Sequence, residues 1–127
     1  MKPTKPFLTG HELEIMKIVW QRGSATVRDV YEELLTRRRI AYTTVMTTMG
    51  VLETKGHLKK SAAERAHVYS PTQPQGAVVK NMVHDFVKRV FNGSAKPLLV
   101  HLLEDPKISA EELDEIRAIL REKRKKK

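Results

Sequence analysis

Thr43, Thr47, Gly50 and Thr54 recur at helical spacing within the run Ile40 to Gly56, and Tyr42, Val45, Met49 and Leu52 take the other side of the same turns. The second set falls at i, i+3, i+7 and i+10, the spacing of a stripe that a helix buries. The first set leaves a face of small side chains. Such a face lets a helix sink into a major groove about 12 Å wide, where Thr offers a hydroxyl to base edges and a methyl to thymine methyls. The chemistry is recognition of duplex nucleic acid, without bond making. An ordinary surface helix rich in Thr has the same pattern, because Thr is a mediocre helix former but a common one. The neighbouring elements must decide.

Gly56 reads as a stop for this helix. His57-Leu58-Lys59-Lys60-Ser61 then alternates loosely before a break at Ala62-Ala63-Glu64, and Arg65-Ala66-His67-Val68-Tyr69-Ser70 returns to Pro71. The two segments predict a hairpin with Lys59, Lys60 and Arg65 near its tip. A helix followed at once by a basic hairpin is the recognition helix and wing of a winged helix-turn-helix. Wing charges serve phosphate contact more than base reading. Lysines on an edge hairpin also block aggregation, so the hairpin alone does not establish the reading.

The preceding residues supply the rest of that order. Thr9-Gly-His-Glu12 reads as a capping box opening a helix to about Arg22, with Leu13, Met16, Val19 and Trp20 inward. Thr26-Val-Arg-Asp29 opens a second helix through Leu35 that buries Val27, Val30, Tyr31 and Leu34, and Ser24-Ala25-Thr26 can add a short strand before it. Arg37-Arg38-Arg39 forms a charged turn into the Thr-rich helix.

Beyond Pro71 the pattern changes. Gln73-Pro74 begins a long helix to about Asn92, whose band Val79, Met82, Val83, Phe86 and Val90 is wider than one surface helix needs. After Asn92-Gly93, Ser94 caps a short helix carrying Leu98 and Leu102, which ends before Asp105-Pro106. Ser109-Ala-Glu-Glu112 opens a last helix with Leu113, Ile116 and Leu120 inward. Three helices of this size form a thin core for so much apolar surface, so a second copy of the chain is the expected partner across these residues. The fold class expected is mostly α: an α+β winged helix-turn-helix domain over residues 1–72, then a three-helix dimerisation domain over 73–127.

Composition bounds the function. The 127 residues carry 24 Lys and Arg against 15 Asp and Glu, a net charge of +9 that suits polyanions. Up to Thr72 there are 12 basic and 7 acidic residues, a net of +5. Much of the remaining excess sits in the tail Arg121 to Lys127, which reads as solvated. Cysteine is absent, which excludes disulfides and thiolate metal sites. No run reaches the roughly 20 apolar residues of a membrane span, and the amino terminus lacks a signal-peptide core, so a cytoplasmic protein without a membrane partner is expected. His11, His57, His67, His84 and His101 fall on different elements without an i, i+4 pair, and His84-Asp85 diverge on a helix, so neither metal, cofactor nor catalytic dyad is expected. There is no phosphate-cradling glycine loop and no nucleophile elbow, so no enzyme is expected.

The runs Leu8-Thr9, Glu12 to Trp20, Ala41-Tyr42-Thr43-Thr44-Val45-Met46-Thr47-Thr48, Leu52 with Lys55-Gly56, and Tyr69-Ser70-Pro71 resemble the penicillinase and methicillin-resistance repressors with their copper-responsive relatives (BlaI/MecI/CopY type). The similarity extends from about Leu8 to Leu103, with Phe91, Gly93 and Ser94 its clearest points in the helical half. The resemblance implies a homodimeric repressor that binds palindromic operators, often of TACA/TGTA character, and a sensor or protease system that relieves repression. Carried over by position, Thr43, Thr44 and Thr47 are groove-facing and Lys55 and Lys59 touch the DNA backbone; Tyr42, Thr54, Lys60 and Arg65 complete the expected contact set. Relatives often have basic residues where this chain has Gly50 and Val51, and the copper-responsive branch carries cysteines that this chain lacks. The Asn-Phe bond cut in β-lactam-responsive members has no counterpart in Val100-His101-Leu102-Leu103-Glu104. A non-specific architectural nucleic-acid-binding protein is the alternative that the missing bases and the Lys-rich tail leave open.

Overall fold

A computed structural model describes residues 7–63 and 66–126. Six helices and one hairpin follow in the order α1 (Gly10–Arg22), α2 (Val27–Leu35), α3 (Tyr42–Thr54), β1 (Leu58–Ala63), β2 (Ala66–Pro71), α4 (Gln75–Phe91), α5 (Ala95–Leu103) and α6 (Ala110–Lys125). The winged-helix order expected from the sequence is present. Two compact units divide between Asp85 and Phe86.

The first unit begins with two reciprocal caps. Thr9 Oγ1 accepts from the Glu12 N–H at 3.1 Å while Glu12 Oε1 accepts from the Thr9 N–H at 3.0 Å, and Thr26 and Asp29 repeat the arrangement at 3.0 Å both ways. Each box satisfies two of the donors that a helix start leaves open. α1 packs against α2, α3 and β2. It therefore buries Ile15 and Ile18 as well as the expected Met16 and Val19, a wider arc than one stripe, with Leu13 and Trp20 at the margin. Val30 and Leu34 of α2 and Val45, Met49 and Leu52 of α3 complete the interior.

The hairpin is longer than the sequence suggested. β1 and β2 pair antiparallel from Leu58 with Pro71 to Ala63 with Ala66, so Ala62 and Ala63 are strand residues. Lys59 pairs with Ser70 and Lys60 with Tyr69, which places both lysines at the base of the hairpin beside α3 and corrects their expected place at its tip. The third strand is a single bridge, Ala25 with Tyr69, closed by N–H to O bonds of 2.9 and 2.8 Å.

The chain after Pro71 stays attached to this unit for longer than expected. Trp20 Nε1 donates to the Gln73 carbonyl at 3.0 Å, Val78 is buried in the core, and Met82 packs against it. Met82, expected in the self-association band, is thus partly buried against the winged-helix core. The packing boundary consequently falls within α4.

In the second unit, Phe86 meets Phe91 edge to face at 5.9 Å, and Phe91 lies 6.1 Å from His101. Asn92 and Gly93 turn the chain through positive φ values of 54° and 88°. Ser94 occupies the N-cap of α5 without a side-chain cap bond. The reason lies three residues on, where Pro97 has no N–H to offer. Ser109 does cap α6, accepting from the Glu112 N–H at 3.1 Å. Neither α5 nor α6 buries a residue. No helix among the described residues is long and apolar enough to cross a membrane.

Candidate nucleic-acid interface

α3 has little intrinsic reason to be a helix. It carries five Thr and a Gly, its N-cap Ala41 makes no side-chain bond, and its first turn holds no acidic residue. Packing holds it instead, because Val45, Met49 and Leu52 are fully enclosed. Its far end is fixed by backbone geometry: the Gly56 N–H bonds the Glu53 carbonyl at 3.0 Å and the His57 N–H bonds the Leu52 carbonyl at 2.9 Å, with Gly56 at φ 91°. These two bonds form a Schellman motif, which needs a left-handed residue at Gly56 and turns the chain directly into β1.

The outward face is what the buried stripe leaves. Thr43, Thr44, Thr47 and Thr54 are exposed, and Thr43, Thr44, Thr47 and Thr48 line a shallow open depression. Thr48 Oγ1 bonds back to the Thr44 carbonyl at 2.8 Å, so its hydroxyl is engaged within the helix. Tyr42, spaced as a core residue, is 40% exposed and rests edge to face on Tyr31 at 5.3 Å. It thus props the start of α3 against α2 and is still open to solvent in part. Gly50 has no positive φ, and a Cβ built on it would meet nothing within 4 Å.

Two exposed apolar side chains also belong to α3. Met46 is 47% and Val51 39% exposed. Helical spacing puts Met46 beside Thr43 and Gly50, and Val51 beside Thr44 and Thr47. Val51 figures in the sequence pattern only as a missing base and Met46 not at all as a site residue, although the helical spacing of residues 43, 46 and 50 carries the signal.

Around this face the charges are unequally available. Arg37 is paired with Glu33 at 3.2 Å, Arg22 with the same Glu33 at 3.3 Å, and Arg38 with Glu14 at 2.7 Å and His11 Nδ1 at 2.9 Å. Arg39, just before α3, is exposed and has no ion pair among the described residues. Reading Arg37-Arg38-Arg39 as one charged turn hid this difference. Lys59 is likewise exposed, while Lys60 lies 3.9 Å from Glu53 of α3. Lys55 is differently placed from the rest, with Nζ 2.9 Å from both carboxylate oxygens of buried Glu12. Burial raises the Glu12 pKa, but the Lys55 hydrogen bond, the Thr9 backbone N–H and the Lys55 charge outweigh it and hold the carboxyl below its ordinary value. Arg65 lies outside the described residues. The arrangement offers hydroxyls and methyls along α3 with exposed cations at its two flanks, Arg39 and Lys59, which suits a groove bordered by phosphates.

The residues expected at a self-association surface divide in the structure. Val79, Val83, Phe86, Val90, Leu102 and Leu120 are exposed in the single chain, and Leu98, Leu113 and Ile116 are half-buried.

Comparison with known proteins gives consistent relationships. The family described as penicillinase repressor matches residues 8–122. A penicillinase repressor of Bacillus licheniformis is 30% identical over 122 residues, covering 96% of this chain and 95% of that protein. The transcriptional regulator BlaI of Mycobacterium tuberculosis is 35% identical over 113 residues, covering 87% and 80%. Among solved structures, the DNA-binding domain of the repressor BlaI in solution superposes with a TM-score of 0.53 at 31% identity, over 59% of this chain and 90% of that one.

Proposed function

This chain belongs to the penicillinase repressor family, and from that membership we propose that it represses transcription by holding a palindromic operator as a homodimer. The observation that carries the reading is the two-sided construction of α3. One face is locked into the core by Val45, Met49 and Leu52, and the other presents Thr43, Thr44 and Thr47 to a groove. A reading helix must be rigid behind and chemically open in front, because base discrimination depends on donor and acceptor positions held to a fraction of an ångström.

Tyr42 and Thr54 border that face, Arg39 and Lys59 meet the flanking phosphates, and Lys60 joins them at the wing base. The second unit supplies the dimer. Its exposed apolar side chains Phe86, Val90, Leu102 and Leu120 leave α5 and α6 without an interior of their own, which a second copy would provide. Two reading domains then address two half-sites at once, with the affinity gain that tethering gives. Relief of repression through a sensor or protease system belongs to the same reading. A cytoplasmic site of action follows from it, since the DNA is there.

The test is a competition shift assay with fragments selected from the host genome. A repressor prefers its operator over bulk DNA by roughly 10³-fold or more at one fixed salt concentration. A ratio near unity would instead identify a protein that coats DNA without reading it.

A further inference from the structure

Glu12 is a buried carboxylate that serves two helices at once. In the first turn of α1 it completes the cap with Thr9, and both its oxygens accept from Lys55 Nζ at 2.9 Å, from the residue that closes α3. The two partners are 43 residues apart in sequence. The pair also lies where two helix dipoles meet. A carboxylate suits the positive start of α1, and an ammonium suits the negative end of α3. Lys55 is followed by Gly56 at φ 91° and then by buried His57 and Leu58, the first residue of the wing. The bond therefore pins the point from which both the end of α3 and the take-off of the wing are set.

We propose that Glu12 and Lys55 are positioning residues for operator reading, holding α3 and the wing at one angle on α1, and that Lys55 does not contact phosphate. The geometry leaves the lysine little choice. Its ammonium already has two short charge-assisted bonds to a carboxylate that is itself 5% exposed, and turning toward DNA would strand that carboxylate without its partner. Misplacement by about 1 Å at the pivot is carried to every base contact along α3, while phosphate contacts through flexible Lys and Arg side chains adapt. The consequence is selective: operator affinity falls and bulk affinity does not.

The proposal rests on α3 being the reading helix, and the experiment separates the two. Full-length Glu12→Gln, Lys55→Met, Lys55→Arg and Thr47→Ala proteins are titrated with operator and with bulk DNA across a salt series, with the folded fraction measured by thermal unfolding. Glu12→Gln keeps a cap oxygen for Thr9 and removes the charge together with one of the two acceptors of Lys55. Glu12→Gln and Lys55→Met are each expected to lower the ratio of operator to bulk affinity by about 10-fold, with no change in the bulk salt slope and no further loss when combined. Lys55→Arg is expected to retain the ratio. A Glu12→Gln protein that binds operator more tightly, as removal of a negative charge would produce by itself, overturns the proposal. So does a Lys55→Met protein whose bulk slope falls by about 0.9 for each lost phosphate contact. A variant that merely unfolds lowers both affinities together, and an unchanged ratio in its folded fraction also counts against the clamp. If Glu12→Gln does not fold, Lys55→Met against Lys55→Arg decides alone. Thr47→Ala leaving operator preference intact would refute the reading helix itself, independently of the clamp.

Discussion

Replacing Gly50 with Ala should move stability and DNA binding in opposite directions. Gly50 is in the interior of α3, has no positive φ, and faces space in which an added Cβ meets nothing within 4 Å. Nothing in the free protein requires a glycine there. Relative to Ala, a glycine inside a helix costs about 0.5 to 1 kcal/mol of folding free energy. For a unit of this size the substitution should therefore raise Tm by about 2 to 8 °C. On DNA the sign reverses, because Gly50 stands at helical spacing from Thr43, Thr47 and Thr54, on the side proposed to enter the groove. A methyl forced into an interface packed like a protein interior costs about 1 to 3 kcal/mol, or about 5- to 150-fold in affinity for each half-site. Calorimetry and operator titration at one salt concentration measure the two effects. A Gly50→Ala protein that is more stable and binds operator as tightly as its parent would show that this side of α3 does not approach DNA. A less stable one would contradict the geometry of α3.

Thr47→Ala should relax preference at one base pair of each half-site, at about 1 to 3 kcal/mol per lost contact, while Lys59→Ala should weaken all sequences alike and flatten the salt slope by about 0.9 per phosphate; exchanged phenotypes in a binding-site selection would reverse the two assignments. Phe86→Asp should convert a dimer to a monomer in equilibrium sedimentation at micromolar protein, since it would bury an unpaired carboxylate between copies; a parent already monomeric there would refute the interface. Acid unfolding should expose the Glu12–Lys55 pair. The Glu12 pKa is depressed below the ordinary 4.5, so its stabilising contribution is present above that value and is lost as pH falls through the lowered pKa. The stability difference between parent and Glu12→Gln should accordingly be full at neutral pH and close below about 4.5, and a pH-independent difference would refute this origin.

Local chemistry was legible in the sequence and tertiary proximity was not. The Thr9 and Thr26 caps require residues only three positions apart, and the enclosed stripe of α3 follows from one helical period, so both were readable directly. The hairpin register was misread because Ala62 and Ala63 carry no turn chemistry of their own. Strand pairing continues through them, and that shift carried Lys59 and Lys60 from tip to base. Lys55 reads from the resemblance as a DNA-backbone contact, since nothing local reveals a carboxylate 43 residues earlier. Ile15 and Ile18 escaped because a single amphipathic stripe describes a helix with one neighbour, and α1 has three. Met82 satisfies the periodicity of the α4 band, and that periodicity does not reveal that this turn of the helix also packs on the first core. At the interface, the exposed face of α3 was readable from periodicity, while the inequality among the arginines depended on which carboxylates folding brings within reach.

The division of α3 into an enclosed set and an open set also bears on how such a protein can evolve. Val45, Met49 and Leu52 answer to the fold, whereas Thr43, Thr44, Met46, Thr47 and Val51 lie outside the enclosed core. Substitutions at exposed positions of this kind usually change stability by only about 0.5 kcal/mol in either direction. On the proposed reading of α3, a duplicated copy can therefore explore new operators through those positions without passing through unfolded intermediates, and paralogues in one genome can diverge to separate targets on an unaltered scaffold. Exploration is far narrower at Glu12 and Lys55, where loss of charge at one residue strands its partner. On the same proposal, drift in sequence preference and constancy of docking angle fall to different residues of the same domain.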